Sequence, residues 1–235
     1  FRITRPKSFK FRSGEFVMIG LTDSDDKPTL RAYSICSPSW SEELEFYSII
    51  VKDGPLTSKL KNIKIGDEII MMPKSTGTLV LDALKPGKRL FLLSSGTGFA
   101  PFAALVREPE TYEQFENIIV THTCRTTTEL SYSKSIIQEC NNDELVKEFI
   151  NNKLVSYHST TRDDYIVKGR ITELILSNKL FNDLNINAIS PHDRFMFCGS
   201  MGLNNDLKKI MLQNNLREGA NNHPGEFVLE KAFVG

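Results

Sequence analysis

The chain has 235 residues, 40% hydrophobic and 25% charged, with 29 Lys+Arg balanced by 29 Asp+Glu. This length suits one large or two ordinary domains of a soluble globular protein. A net charge of zero excludes the basic balance of a nucleic-acid binder or of a chain drawn to anionic membranes.

From Phe1 to about Met72, short apolar runs alternate with turn clusters. The runs Glu15–Leu21, Leu30–Ile35, Leu44–Val51 and Glu68–Met72 predict strands, separated by Ser13-Gly14, Asp23–Pro28 and Gly66-Asp67. Strands this short at this spacing predict an antiparallel β-barrel or sandwich. After Leu84-Lys85-Pro86-Gly87-Lys88 the pattern changes. Strands are predicted at Leu90–Leu93, Ile118–Thr121, Leu154–Tyr157, Phe195–Cys198 and Phe227–Leu229. Helices are predicted at Pro101–Arg107, Glu129–Gln138, Ile171–Ser177 and Leu203–Gln213. Strand–helix alternation implies parallel βαβ units. The expected organisation is therefore two domains, an antiparallel β domain over 1–86 and a Rossmann-like α/β domain over 87–235.

No apolar run approaches the ~18–20 residues of a membrane span. No signal-peptide pattern is present, and the chain begins at Phe1, which leaves its true start open. Cys36, Cys124, Cys140 and Cys198 are scattered, without the clustering of an iron–sulfur site or a disulfide scaffold. Reduced thiols and a cytoplasmic setting are expected. The four histidines are too dispersed to suggest a metal site.

Arg31-Ala32-Tyr33-Ser34 closes the second predicted strand. Alternation puts Arg31 and Tyr33 on one face, with Ala32 and Ser34 on the other. Such a pair can hold a flat anionic ligand, guanidinium on phosphate and phenol against a ring, or can be an ordinary surface pair. The turn Gly54-Pro55-Leu56-Thr57-Ser58 offers amides and hydroxyls to an anion, or simply caps a surface helix. In Ser94-Ser95-Gly96-Thr97-Gly98-Phe99-Ala100-Pro101, Gly96 and Gly98 allow a tight turn with backbone close to a diphosphate, and Pro101 suits the start of a helix. The other reading of this stretch is a tight turn in an unremarkable α/β domain. No carboxylate ends the next strand at Thr121-His122-Thr123-Cys124, so an NAD-type ribose clasp is absent there. Ser159-Thr160-Thr161-Arg162 suits an extra phosphate, hence NADP, although Asp163 and Asp164 could neutralise Arg162. Arg170 and Arg194 are further candidate cations.

R-A-Y-S, G-P-L-T-S, G-T-G-F-A-P-F, F-C-G-S and the ending V-L-E-K-A-F-V-G, in this order and spacing, resemble the bacterial ferredoxin/flavodoxin–NADP reductases over essentially the whole chain. The resemblance implies an FAD-binding β-barrel joined to an NADP-binding α/β domain. It implies that Tyr33 stacks on the flavin, that Arg31 binds the FAD pyrophosphate beside Ala32, and that Ser34 lies near the reacting nitrogen. The strand Ser48-Ile49-Ile50 and the turn Pro55-Leu56-Thr57 would contact FAD, and Thr97 would sit by flavin and nicotinamide. Thr161 and Arg162 would hold the NADP 2′-phosphate, with Arg170 and Arg194 as weaker candidates. Gly96, Gly98, Gly199 and Ser200 would complete the NADP site, and Cys198 would lie beside the nicotinamide. Plant-type members end in an aromatic residue over the flavin. This tail instead resembles a bacterial subgroup in which Ala232 faces the flavin and Phe233 stacks on the FAD adenine.

The resemblance further implies non-covalent FAD, NADP(H) as the second cofactor, and a ferredoxin or flavodoxin as transient partner of a monomer. Such partners are acidic, which makes Lys7, Lys10, Arg12 and Lys59 candidate docking cations by composition. Two other readings stand beside it. One is an NAD(P)H reductase serving an oxygenase or free flavin; the other is a non-catalytic nucleotide-binding subunit.

Overall fold

The structure is a computed structural model, and it describes residues 1–22, 27–150 and 152–231. Ten strands are present among the described residues: β1 (Arg2–Thr4), β2 (Phe16–Thr22), β3 (Pro28–Ser34), β4 (Glu43–Glu45), β5 (Ile70–Met71), β6 (Arg89–Ser95), β7 (Asn117–Cys124), β8 (Leu154–Thr160), β9 (Asp193–Gly199) and β10 (Phe227–Lys231). The helices are α1 (Thr57–Leu60), α2 (Ala100–Leu105), α3 (Pro109–Gln114), α4 (Ser131–Asn142), α5 (Lys147–Ile150), α6 (Ile171–Leu176), α7 (Lys179–Asp183) and α8 (Met201–Gln213).

The first five strands form antiparallel sheets, β3-β2-β5 and β1-β4, joined by a bridge from Ile35 to Phe46, and a second bridge pairs Phe16 of β2 with Thr76. Alternation along β2 turns Val17 and Ile19 inward, where they pack with Phe9, Phe11, Ile35, Leu44 and Phe46. The run from Leu44 is shorter than its composition predicts. Pairing with β1 ends at Glu45, one bridge follows at Phe46, and Ser48, Ile49 and Ile50 lie outside any strand. A β-branched run becomes a strand only where a neighbouring chain supplies ladder partners, and Ile49, Ile50 and Val51 are exposed. The segment is held instead by Thr57, whose hydroxyl accepts from the Val51 N–H at 3.1 Å and donates to its carbonyl at 3.2 Å.

The last five strands form one parallel sheet in the order β10-β9-β6-β7-β8. Both faces are covered, so β6 and β9 read as nearly continuous apolar runs. The chain winds outward from β6 through β7 to β8, then returns to lay β9 on the other side of β6. The order therefore reverses between β6 and β9, and the crevice beyond their carboxyl ends is the expected ligand site of such a sheet. Predicted helices appear where the 3.6-residue pattern is strong, and α3, α5 and α7 are short additions.

The two halves meet through a half-buried ionic contact. Arg107, just after α2, donates to the Cys36 carbonyl at 2.6 Å and to Glu45 at 2.9 Å. The Tyr132 hydroxyl donates to the other Glu45 oxygen at 3.1 Å, and its ring stacks on Tyr47 at 4.4 Å.

Candidate functional site

The turn after β6 and the end of β9 are brought together by two glycines. A Cβ at Gly98 would stand 2.1 Å from the Cys198 carbonyl oxygen, and one at Gly199 would stand 2.6 Å from the Ser95 hydroxyl. Gly96 has φ +54°, the left-handed region that glycine enters without strain. The turn Gly96–Phe99 is a 3₁₀ turn that runs straight into α2. Within it, the Thr97 hydroxyl is buried and has no hydrogen-bond partner among the described residues. A buried polar atom without a partner is costly unless a ligand or water completes it. Cys198 is buried and its thiol is pushed up by that burial, with the nearby Glu230 carboxylate adding to the shift. It is therefore a neutral thiol and not a thiolate nucleophile. Ser200 caps α8, its hydroxyl accepting from the Leu203 N–H at 3.2 Å.

At the ends of the next two strands, the parallel register sets Cys124 beside Thr160. The Thr161 N–H donates to the Cys124 carbonyl at 2.9 Å, and the Arg162 N–H donates to the Arg125 carbonyl at 3.0 Å. Arg125 and Arg162 are both exposed and form no ion pair among the described residues. Neither aspartate neutralises Arg162. Asp163 accepts from the Thr127 N–H at 2.8 Å and hydroxyl at 3.1 Å, and Asp164 pairs with Lys168 at 3.2 Å. Arg170 follows the bridge between Thr160 and Lys168 and is exposed at the start of α6. The sequence reading overlooked Arg125; it sits one residue beyond a strand end, the position that the carboxyl-end rule marks.

Arg194 does not belong to this cluster. It lies at the amino end of β9, opposite the crevice, and is buried. Its guanidinium donates to the carbonyls of Lys85, Pro86, Pro191 and Asp193. A cation spent on four backbone carbonyls has a structural task, and this expectation is corrected. Arg12 is likewise engaged, with Glu15 at 2.9 Å and Asp82 at 3.2 Å.

In the first half, β3 is the edge strand of its sheet, with Arg31 opposite Ile19 and Tyr33 opposite Val17. Tyr33 is half-buried, edge-on to Phe46 with ring centroids 6.2 Å apart, while Arg31 and Ala32 are exposed and Ser34 is half-buried. The Ser48 hydroxyl reaches the Tyr33 hydroxyl at 3.5 Å, so Ser48 borders the Tyr33 side chain, while Ile49 and Ile50 follow it as exposed residues outside any strand. In the following turn Pro55 precedes the buried Leu56, and the Ser58 hydroxyl donates to the Gly54 carbonyl at 2.6 Å. With the Thr57 hydroxyl also closed on the loop, both side-chain hydroxyls of this turn have protein partners. Ala232 and Phe233 lie outside the described residues.

One half-buried carboxylate was not singled out in the sequence. Glu230, near the end of β10, reaches across to Thr78 of the first half and accepts from its N–H and, at 3.2 Å, from its hydroxyl. Burial pushes this carboxyl up to about 7 despite those bonds.

No protein-family model matches the chain. It is 56% identical over 236 residues to the flavodoxin/ferredoxin–NADP reductase of Rhodobacter capsulatus, covering 100% of this chain and 87% of that one. It is 44% identical over 235 residues to ferredoxin–NADP reductase A of Sorangium cellulosum, covering 100% and 84%. Among solved structures it resembles a ferredoxin NADP+ reductase from Neisseria gonorrhoeae with bound FAD and NADP, with a TM-score of 0.88, 26% identity, and coverage of 99% and 92%.

Proposed function

The chain belongs to the flavodoxin/ferredoxin–NADP reductase family, and on that premise we propose how its residues divide the work. The protein is an FAD-dependent oxidoreductase acting with NADP(H). Residues 1–86 are assigned to FAD and residues 87–235 to NADP(H), and a ferredoxin or flavodoxin is the one-electron partner. Bound FAD supplies the conversion between a two-electron hydride and single-electron transfer, which a nicotinamide does not perform.

The observation that carries this reading is the crevice at the β6/β9 reversal. There, backbone meets backbone at Gly98 and Cys198, and the buried Thr97 hydroxyl lacks a partner among the described residues. These features fit ligand atoms placed between the turn and the end of β9. Arg31 is assigned to the FAD pyrophosphate and Tyr33 to the ring face, and Ile49 and Ile50 are exposed apolar residues assigned to the same ligand. Ala32, Ser34, Ser48, Pro55, Leu56 and Thr57 line the same region. Gly96, Gly98, Cys198, Gly199 and Ser200 shape the nicotinamide side.

The protein's contribution to hydride transfer is orientation, because the reacting carbon and nitrogen must come within ~3–3.5 Å. Cys198 is assigned beside the nicotinamide as a neutral, unreactive thiol. Arg162, joined by Arg125, Thr161 and Arg170, forms the subsite for the 2′-phosphate, since a cluster of cations favours an added dianion. Ala232 and Phe233 are assigned to the flavin and to the adenine by the family's pattern alone.

No described helix is long and apolar enough to cross a membrane. A cytoplasmic monomer exchanging electrons with a small carrier is the setting proposed.

The test is the purified protein itself. It should carry FAD, and stopped-flow mixing should bleach the flavin faster with NADPH than with NADH, without a partner. A colourless protein that takes up no FAD, or one reduced equally fast by both nucleotides, contradicts the assignment.

A further inference from the structure

Beneath the Gly96 turn lies a buried chain of polar side chains that no step above uses. His122, near the end of β7, is 1% exposed and pairs in register with Ser94 of β6. Its Nε2 lies 2.8 Å from the Gly96 carbonyl oxygen, and its Nδ1 lies 2.8 Å from the Ser133 hydroxyl. That hydroxyl is in turn 3.0 Å from His158 Nε2. The His122 ring also stacks on Phe99, at the far end of the same turn, with centroids 5.0 Å apart and planes at 29°.

For neutral rings the Gly96 carbonyl sets the assignment at His122, whose Nε2 also has the Cys124 Sγ 3.1 Å away. A carbonyl oxygen only accepts, so His122 Nε2 carries the proton and Nδ1 is the acceptor. The Ser133 hydroxyl, 2.8 Å from Nδ1 and 3.0 Å from the Leu130 carbonyl oxygen, shares its single proton between these two acceptors, and the lone pairs of its oxygen accept from His158 Nε2–H. The sequence His158 to Ser133 to His122 to Gly96 thus runs in one direction and fixes the tautomer of the buried imidazole. Burial also pushes both imidazoles down to about 4, so they are neutral at ordinary pH.

The target of this chain is a peptide plane at the mouth of the crevice. Across a trans peptide the carbonyl and the following N–H point in opposite directions. Holding the Gly96 carbonyl on the buried imidazole therefore aims the Thr97 N–H away from it. Gly96 is the residue least able to hold its own peptide plane, because both signs of φ are open to it. A hydrogen bond from a stacked imidazole adds to the constraint that the 3₁₀ turn itself supplies.

We infer that His122, with its tautomer set by Ser133 and His158, is a positioning residue that fixes the Gly96–Thr97 peptide for hydride transfer. The inference rests on the assignment of this crevice to the nicotinamide and deepens it. His122 is not a catalytic residue, since it touches the turn and not the reacting atoms.

Two near-isosteric variants separate the hydrogen bond from mere filling of space. His122→Gln places an amide N–H where Nε2 stands and keeps the bond to Gly96. His122→Asn keeps a polar group near Ser133 but falls short of the carbonyl. Both are compared with the wild type as FAD-loaded protein, by stopped-flow reduction with NADPH and by titration with 2′-phospho-AMP, which probes the cation cluster at the ends of β7 and β8. His122→Gln should retain most of the rate, and His122→Asn should slow reduction by about tenfold or more, as a small misplacement does. Affinity for 2′-phospho-AMP should be unchanged in both. Equal rates in the two variants, whether both fast or both slow, overturn the inference, and so does a loss of 2′-phospho-AMP binding that parallels the rate. Ser133→Ala decides the matter if a variant at 122 does not fold: it should slow reduction at least threefold without touching the turn, and an unchanged rate overturns the inference. Failure of the wild type to be reduced by NADPH would instead remove the functional assignment itself, so the two failures are distinguishable.

Discussion

Gly98 and Cys198 meet through backbone alone: a methyl group at position 98 would stand 2.1 Å from the Cys198 carbonyl oxygen and 2.6 Å from its carbon. The contact joins the turn after β6 to the end of β9 at the point where strand order reverses, and no side chain can be inserted without driving the two apart. Gly98→Ala should therefore open the crevice rather than unfold the sheet. The expected outcome is a protein that retains its far-UV circular dichroism but is reduced by NADPH about a hundredfold more slowly, as a displacement near 1 Å costs. Reduction at the wild-type rate would show that this contact does not set the reacting geometry.

Arg162 and Arg194 should respond in opposite ways to the same substitution. Arg162 is exposed at the carboxyl end of β8, whereas Arg194 is buried at the amino end of β9 among four carbonyls. Arg162→Ala should raise KM for NADPH about tenfold, equivalent to ~1.4 kcal/mol, with the KM for NADH unchanged and thermal stability intact. Arg125→Ala should act in the same direction. Arg194→Ala should leave the NADPH-to-NADH ratio alone and cost ~2–4 kcal/mol of stability, because buried carbonyls lose their donor. Steady-state kinetics with both nucleotides and a denaturant titration separate the two behaviours.

Glu230 makes stability depend on pH near neutrality. Its carboxyl is raised from 4.5 to about 7 in the folded protein, chiefly by burial, with Thr78 opposing and Glu15 reinforcing the shift. Between these values the folded state binds more protons than the unfolded one, so stability falls as pH rises. The unfavourable contribution is absent below about 4.5 and complete above about 7. Glu230→Gln removes the ionisation, so the melting temperature of the variant relative to wild type should increase between pH 5 and pH 8. A difference that stays flat across that range would show that the carboxyl does not titrate there.

Arg107 ties the two halves together. Its guanidinium reaches the Cys36 carbonyl and Glu45, and Glu45 also receives the Tyr132 hydroxyl. Arg107→Met keeps the apolar stem but leaves a half-buried carboxylate without its cation. A loss of about 2–3 kcal/mol, or roughly 5–10 °C in Tm, is expected. Adding Glu45→Gln should recover part of it, and calorimetry of the single and double variants measures the coupling. Additive losses would mean that the pair is not coupled.

Much of this protein is legible in its order of residues. Leu90–Leu93 followed by Gly96 and Gly98 announces a buried strand and a tight turn before a helix, because glycine enters the left-handed conformation at 96 without strain and an apolar run suits burial on both faces. The alternation in Arg31–Ser34 and the spacing of five apolar runs after Leu90 likewise depend on local chemistry, so the antiparallel and parallel halves could be separated before any contact was known. Tertiary structure decided what depends on neighbours distant in the chain. Ser48-Ile49-Ile50 has the composition of a strand, yet no ladder partner reaches it beyond Phe46. Arg194 looks like a phosphate ligand until the parallel sheet places it at the wrong end of β9. Arg125 becomes a neighbour of Arg162, and His122 and His158 come to share one serine, only because β7 and β8 pair in this register. Local preference is encoded residue by residue, whereas a hydrogen bond across the sheet exists only after register has brought its donor and acceptor within reach.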